Sequence, residues 1–339
     1  MPLLEVKDLK VYFKVRAGWV RAVDDISLTL EPGQTLGLVG ESGCGKTTLG
    51  YAVTQLLPNN AHIHGGSVNF KGRNLTAMTV RKDGTLRDYH PELGKLRWKE
   101  ISMIFQGAMN AFNPVYTVGD QIIEAIRIHE DMTVGEARER VAELYQLIGV
   151  PTDRIDNFPH EYSGGMKQRA MIAMALALNP SLIIADEPTT ALDVITQRRI
   201  LNEIVSIQKR FGMAMIIITH DVSVVAKVSQ QLAVMYAGKI VEKGTATEIF
   251  KETAHPYAEA LLGGFPSITG PKKRLATIPG NPPSLLNPPT GCRFHPRCKY
   301  ATELCKAEEP KTIQVSPGHT SLCHYAAEFS AGSLEVRKR

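Results

Sequence analysis

No uninterrupted apolar run in this chain approaches the ~20 residues needed to cross a bilayer. The most apolar helix-like stretch, Ala170 to Leu178, is much too short. The N-terminus, Met1-Pro2-Leu3-Leu4-Glu5, lacks the basic-then-apolar order of a signal peptide. These two absences predict a cytoplasmic chain that meets a membrane only through a partner. Clustered positive charge is also missing. The net charge is +5 with scattered basic residues, which reads as a solvated surface and argues against a nucleic-acid partner. No segment repeats, and each motif described below occurs once, which argues against a tandem array. Cysteine is scarce, five in 339 residues, and none form a C-x2-C pair.

What is present is ordinary globular composition, 43% hydrophobic and 22% charged, with no deficit of core-forming residues. The length predicts two domains, or one large domain with an appendage. Leu3 to Phe13 alternates apolar and polar residues and reads as an edge strand, with Ile26 to Leu30 as its companion. Further strands are expected at Thr35 to Val39, Ser67 to Phe70, Ile101 to Phe105, Leu182 to Asp186 and Met215 to Thr219. Helices are expected at Gly45 to Leu57, from about Gly164 to Leu178, and around Ile195 to Arg210. Val118 to Leu147 is helical in pattern without good strands, and reads as an insert in an α/β body. The polar stretch Lys71 to Lys99 precedes the strand at Ile101, and Leu232 to Tyr236 with Lys239 to Glu242 reads as a terminal hairpin. Pro266 to Pro289 carries seven prolines, which is linker chemistry.

Two stretches carry phosphate chemistry. Gly40-Glu41-Ser42-Gly43-Cys44-Gly45-Lys46-Thr47 fits G-x-x-x-x-G-K-[ST] between a strand and a helix, with Thr48 following. Glycines let backbone N–H groups converge on phosphate oxygens, and the helix N-terminus adds a favourable field. Lys46 can reach the β- and γ-phosphates and Thr47 can ligate Mg²⁺, whereas Cys44 contributes only its backbone. The second stretch, Leu182-Ile183-Ile184-Ala185-Asp186-Glu187, is a buried strand ending in two acids. Asp186 suits Mg²⁺, and Glu187 can act as general base on an attacking water.

With Ser163-Gly164-Gly165 between these stretches, the chain resembles the ABC ATPases. The resemblance implies an α/β P-loop NTPase fold with a RecA-like core, an antiparallel β subdomain, a helical insert and, here, a Cys-rich C-terminal extension. It implies that Ser163, Gly164 and Gly165 contact the γ-phosphate of ATP bound to a different subunit. Gln106 matches the Q-loop glutamine, a Mg²⁺ and water contact. Asp193 matches the D-loop aspartate and His220 the switch histidine. Phe13 matches the aromatic that stacks on adenine, with Tyr12 as the alternative. Glu187, His220 and Gln106 are then the expected catalytic set. Thr47, Gln106 and Asp186 are the expected Mg²⁺ ligands. The chain departs from the family signature at Tyr162, where leucine is usual, and at Met166, where glutamine is usual.

Cys292, Cys298, Cys305 and Cys323 are spaced x5, x6 and x17. In a cytoplasmic protein, four clustered cysteines favour a metal over disulfides. Four thiolates suit either zinc or an iron–sulfur cluster, and the missing C-x2-C pairs tilt the expectation towards iron–sulfur. His255-Pro256-Tyr257, Pro279-Gly280-Asn281-Pro282-Pro283 and Gly291-Cys292-Arg293-Phe294-His295-Pro296-Arg297-Cys298 resemble the C-terminal extension of oligopeptide/dipeptide importer ATPase subunits. Such subunits can carry a [4Fe–4S] cluster on these cysteines.

This resemblance spans about residues 3 to 325. It implies an ABC ATPase domain at 1–265 with its helical insert at about 107–178, a linker at 266–290 and the Cys-rich extension at 291–330. It also implies ATP and Mg²⁺ as cofactors, and a second ATPase subunit, a related non-identical chain or a second copy. Two membrane permease subunits and, indirectly, an extracytoplasmic binding protein complete the expected assembly at the cytoplasmic face of the membrane. Peptides are the expected cargo, with oligosaccharides or nickel as alternatives. A nucleic-acid-associated ABC ATPase is the more distant one.

Overall fold

A computed structural model describes residues 1–81, 83–87, 90–107, 111–189, 194–220, 222–263 and 278–333. The chain divides into two compact units. One comprises Met1–Leu30, Thr35–Asp88 and Thr219–Arg339, and the other Glu31–Gln34 and Tyr89–Ile218. Elements are numbered in chain order.

In the first unit, β1 (Leu4–Val15) pairs antiparallel with both β2 (Gly18–Leu30) and β4 (Ala61–Phe70), and β5 (Arg73–Asn74) follows β4. The first strand is therefore central, where the sequence predicts an edge. Its alternation still sets the core face, since Leu4, Val6, Leu9 and Val11 are buried. The fourth strand also starts six residues before the expected Ser67, running through Gly65-Gly66. Here β1 is irregular, with Asp8 at φ 46, and Gly66 at φ 79 lies so close that a Cβ would meet the Lys7 carbonyl oxygen at 2.3 Å. The glycine that looks like a strand breaker is what lets the strand pass the bulge.

A second sheet in this unit begins with β3 (Thr35–Val39), parallel to β9 (Gln231–Tyr236). β9 pairs with β10 (Lys239–Thr245), and the order continues through β12 (His319–Ser321) to β11 (Ile313–Ser316). The hairpin read as terminal is therefore internal. Two tail strands cover its edge, satisfying backbone groups that a bare edge would leave open. The helices are α1 (Lys46–Thr54), α2 (Leu75–Thr79), α8 (Val222–Val228), α9 (Ala246–Lys251), α10 (Pro256–Gly263), α11 (Glu303–Ala307) and α12 (Ala326–Ser330).

In the second unit β6 (Ile101–Ile104), β7 (Leu182–Asp186) and β8 (Ala214–Ile218) pair in parallel, and every residue in them is buried. Continuous apolar runs of this kind suit strands covered on both faces. Around them lie α3 (Pro91–Leu96), α4 (Val118–His129), α5 (Val134–Leu147), α6 (Gly164–Leu176) and α7 (Val194–Phe211). The helical stretch expected over Val118 to Leu147 divides at Thr133, which forms a capping box with Glu136. The polar stretch from Lys71 to Lys99 contains α2 and α3, both too short to show a helical period.

Candidate nucleotide site and cysteine cluster

β3 delivers the glycine loop to α1. Gly45 caps that helix at φ 106, where a Cβ would meet the Ala22 carbonyl oxygen at 1.9 Å, so only glycine fits. The Lys46 ammonium is buried in the loop and donates to the carbonyls of Gly40 at 2.8 Å and Glu41 at 3.0 Å. Its third neighbour is the Cys44 sulfur at 3.6 Å, a thiol whose pKa burial raises. Ser42 and Gly43 are exposed, and Thr47 and Thr48 sit half-buried in the first helical turn. His220 is exposed and follows Thr219, whose N–H donates to Leu38 of β3 at 3.4 Å.

Tyr12 and Phe13 point to opposite faces of β1, as strand neighbours must. Tyr12 is committed within the chain. Its hydroxyl donates to Asp24 at 2.6 Å, and its ring stacks on His64 at 4.6 Å. Half-buried Phe13 pairs in register with Val20 and Ala61.

In the second unit Asp186 ends β7 fully buried, and Glu187 follows at φ 44. A non-glycine residue in that region is strained, as often happens at functional sites. The Glu187 N–H donates to Ile218 at 2.8 Å, and Gln106 Nε2 donates to the Glu187 carboxylate at 2.7 Å. Two predicted residues from separate segments thus meet directly. Ser163 caps α6, its Oγ accepting from the Met166 N–H at 3.3 Å. Tyr162 is buried, and its hydroxyl lies 2.9 Å from that of Tyr145 and donates to Arg154 O at 2.5 Å. Asp193 falls outside the described residues.

The four tail cysteines line one small cavity with Phe294 and Tyr325. The Cys292 N–H donates to Cys305 O at 2.8 Å, closing the loop that carries the first three. Burial pushes Cys292 up to about 11, and Cys298 and Cys323 up to about 12. For Cys323 the proximity of the other three thiols adds to that effect, so the sulfurs are electrostatic neighbours. Among the described residues, no group of three or more His, Cys, Asp or Glu side chains already has the geometry to hold a metal ion.

Residues 23–190 match the family described as ABC transporter, and residues 241–305 match the oligopeptide/dipeptide transporter C-terminal region. A probable peptide ABC transporter ATP-binding protein of Sinorhizobium fredii is 44% identical over 95% of this chain and 94% of its own length. The dipeptide transport ATP-binding protein DppD of Escherichia coli is 42% identical over 96% and 97%. The chain belongs to the ATP-binding proteins of peptide ABC transporters.

Solved structures agree on the ABC ATPase fold. A dimeric ATP-binding cassette in a post-hydrolysis state with ADP and Pi superposes with a TM-score of 0.62 at 24% identity, covering 72% of this chain and 98% of that one. A part of the cbiONQ ABC transporter complex from Clostridium perfringens gives 0.60 at 25%, covering 74% and 91%. Sequence reasoning missed several contacts around the ABC motifs. The Tyr257 hydroxyl accepts from the phosphate-loop N–H of Glu41 at 2.9 Å, and Tyr145 anchors Tyr162 at the start of the signature. In the sequence His255-Pro256-Tyr257 stands out only as a family likeness, and nothing local to Tyr145 sets it apart from other core aromatics.

Proposed function

We propose that this chain is the ATP-hydrolysing subunit of a peptide importer, coupling hydrolysis to uptake through separate membrane subunits. The observation that carries this reading is the phosphate loop. Lys46 is held inside it on two carbonyls that a triphosphate's oxygens can replace. Thr47 and Asp186 are assigned to Mg²⁺, with Gln106 contributing through water. Glu187 is the general base, oriented by Gln106, and His220 is assigned to the γ-phosphate. Phe13 is the adenine platform because Tyr12 is already engaged with Asp24 and His64.

Ser163, Gly164 and Gly165 serve ATP held by a second ATPase subunit. Gly165 supports this, since among the described residues the nearest atom to an added Cβ is Thr196 Cγ2 at an ordinary 3.7 Å. Packing within the chain does not demand glycine there, whereas close approach of a phosphate does. Exposed Val115, Tyr116 and Phe158 are assigned to permease contact. The Val118 N–H donates to Asn157 O at 3.0 Å, which brings the segments bearing Tyr116 and Phe158 together. Among the described residues no helix is long and apolar enough to cross a membrane, so transport needs such partners.

The cysteine cavity is assigned to a metal centre held by Cys292, Cys298, Cys305 and Cys323, an iron–sulfur cluster in preference to one zinc ion. Four thiols on one cavity, three of them buried and Cys292 half-buried, fit either group. A bound metal would supply the positive charge that keeps buried thiolates deprotonated. Iron and sulfide in stoichiometric amounts in a brown anaerobic preparation support the cluster, and a colourless zinc-loaded one overturns that choice. For the transport reading, the chain is co-purified with its permease and binding-protein partners and ATPase is measured in proteoliposomes. Stimulation by peptide-loaded binding protein is expected. Stimulation by oligosaccharide or nickel alone overturns the peptide assignment.

A further inference from the structure

Glu41 is the second residue of the phosphate loop, and each of its polar groups is held. Its N–H donates to Tyr257 at 2.9 Å and its carbonyl accepts from Lys46 at 3.0 Å. Its carboxylate receives both terminal nitrogens of Arg297, at 2.6 and 2.9 Å. Arg297 lies 256 residues away, immediately before Cys298 in the tail. Its side chain is only 6% exposed and is itself fixed. Nε donates to Pro279 O at 2.7 Å, a terminal nitrogen donates to Gly280 O at 3.2 Å, and the guanidinium lies over the Tyr236 ring. A second arginine of the same loop, Arg293, bonds Asp24 and the Ala237 carbonyl, next to Gly238, whose N–H donates to Cys44 O at 2.9 Å. Along residues 292–298 two cysteines flank two arginines, the thiols lining the cavity and the guanidiniums reaching the phosphate loop and its surroundings.

A planar fork binding a carboxylate through two parallel bonds fixes orientation as well as charge. A triphosphate recruits Lys46, which leaves the Glu41 carbonyl with the Cys44 N–H at 3.3 Å alone. Tyr257 then holds the Glu41 N–H, and Arg297 holds its carboxylate. Without Arg297 a bare carboxylate stands beside an incoming polyanion, and a half-buried carboxylate loses its ion-pair partner. We infer that Arg297 is a positioning residue for the phosphate loop, so that the cysteine-bearing tail completes the chain's own ATP site from within. This inference rests on the ATP-binding reading of that loop.

The test uses the full chain, titrating a fluorescent ATP analogue with Mg²⁺ while following fold by circular dichroism and thermal unfolding. Arg297→Met is expected to weaken binding at least about tenfold, the scale of a lost charge-assisted hydrogen bond. Arg297→Lys is expected to fall between it and the wild type, because a point charge replaces the fork. Adding Glu41→Gln to Arg297→Met removes the unneutralised carboxylate and is expected to recover most of the loss. In the assembled transporter the Arg297→Met effect should appear in KM rather than kcat, which a general loss of folded protein cannot mimic. Wild-type affinity in folded Arg297→Met overturns the inference, as does a double variant no better than the single one. Should Arg297→Met not fold, Arg297→Lys decides on the same criterion. A wild-type chain that binds no nucleotide instead overturns the ATP-binding reading itself.

Discussion

Gln106 Nε2 donates to the Glu187 carboxylate at 2.7 Å. The bond joins a residue just beyond β6 to the residue following β7, and Glu187 holds a strained backbone with φ 44 as it does so. A carboxylate that must take a proton from water needs a defined direction, and this amide supplies one.

Glu187→Gln is therefore expected to lower ATP turnover by at least about a hundredfold, the usual contribution of a general base. Nucleotide affinity should stay near wild type, because the carboxylate acts on water rather than on ATP. Steady-state ATPase and equilibrium binding check this together. A variant retaining near-normal turnover removes Glu187 from the role of base.

Gly165→Ala separates folding from function. Alanine is the better helix former, and among the described residues the Cβ meets only an ordinary contact at 3.7 Å. Thermal stability should be equal or slightly higher, while ATPase in the assembled transporter falls. Full activity in a folded Gly165→Ala protein would show that nothing approaches this glycine closely.

Tyr162→Phe leaves the buried Tyr145 hydroxyl without its phenolic partner and takes one donor from Arg154 O, which keeps the Asn157 N–H at 3.0 Å. A loss of about 1–3 kcal/mol in urea unfolding is expected. An unchanged midpoint would mean that the phenol pair does not anchor the start of the signature.

His319 and Glu242 form a buried pair at 2.8 Å between β12 and β10. The hydrogen bond to Glu242 raises the His319 pKa above its ordinary 6.5, and burial raises that of Glu242. Both shifts have one sign: the folded pair keeps a proton that the unfolded chain releases. The His319 contribution is complete below pH 6.5 and is lost as pH rises through its higher folded value, and the Glu242 contribution is complete below 4.5 and is lost as pH rises through its own raised value. Unfolding midpoints measured across that range should fall with rising pH. His319→Gln should flatten the profile, and an unaltered slope in that variant removes the pair as its source.

The phosphate loop and the β7 acids were legible because each is a local strand–loop arrangement whose chemistry needs particular residues at fixed spacing. β7 itself spans Leu182–Asp186 as read. The place of β1 in its sheet was not legible, because alternation defines a buried face but not how many neighbours a strand has. Gly65-Gly66 misled for a related reason: a glycine pair signals a break until the bulge opposite it is known. The tail strands on β10 were hidden by their brevity, four and three residues.

The sequence alone determined the family, the loop that holds phosphate, the acids that follow β7 and the four cysteines of the tail. Residue identity at short spacing is enough for those. Tertiary structure decided which side chains share a charge or a bond across long separations. Gln106 meets Glu187, Tyr145 meets Tyr162, and Arg297 reaches Glu41. Such pairings depend on where the backbone brings distant segments, and on burial that makes an unmatched charge costly. Neither is written in the spacing of the residues themselves.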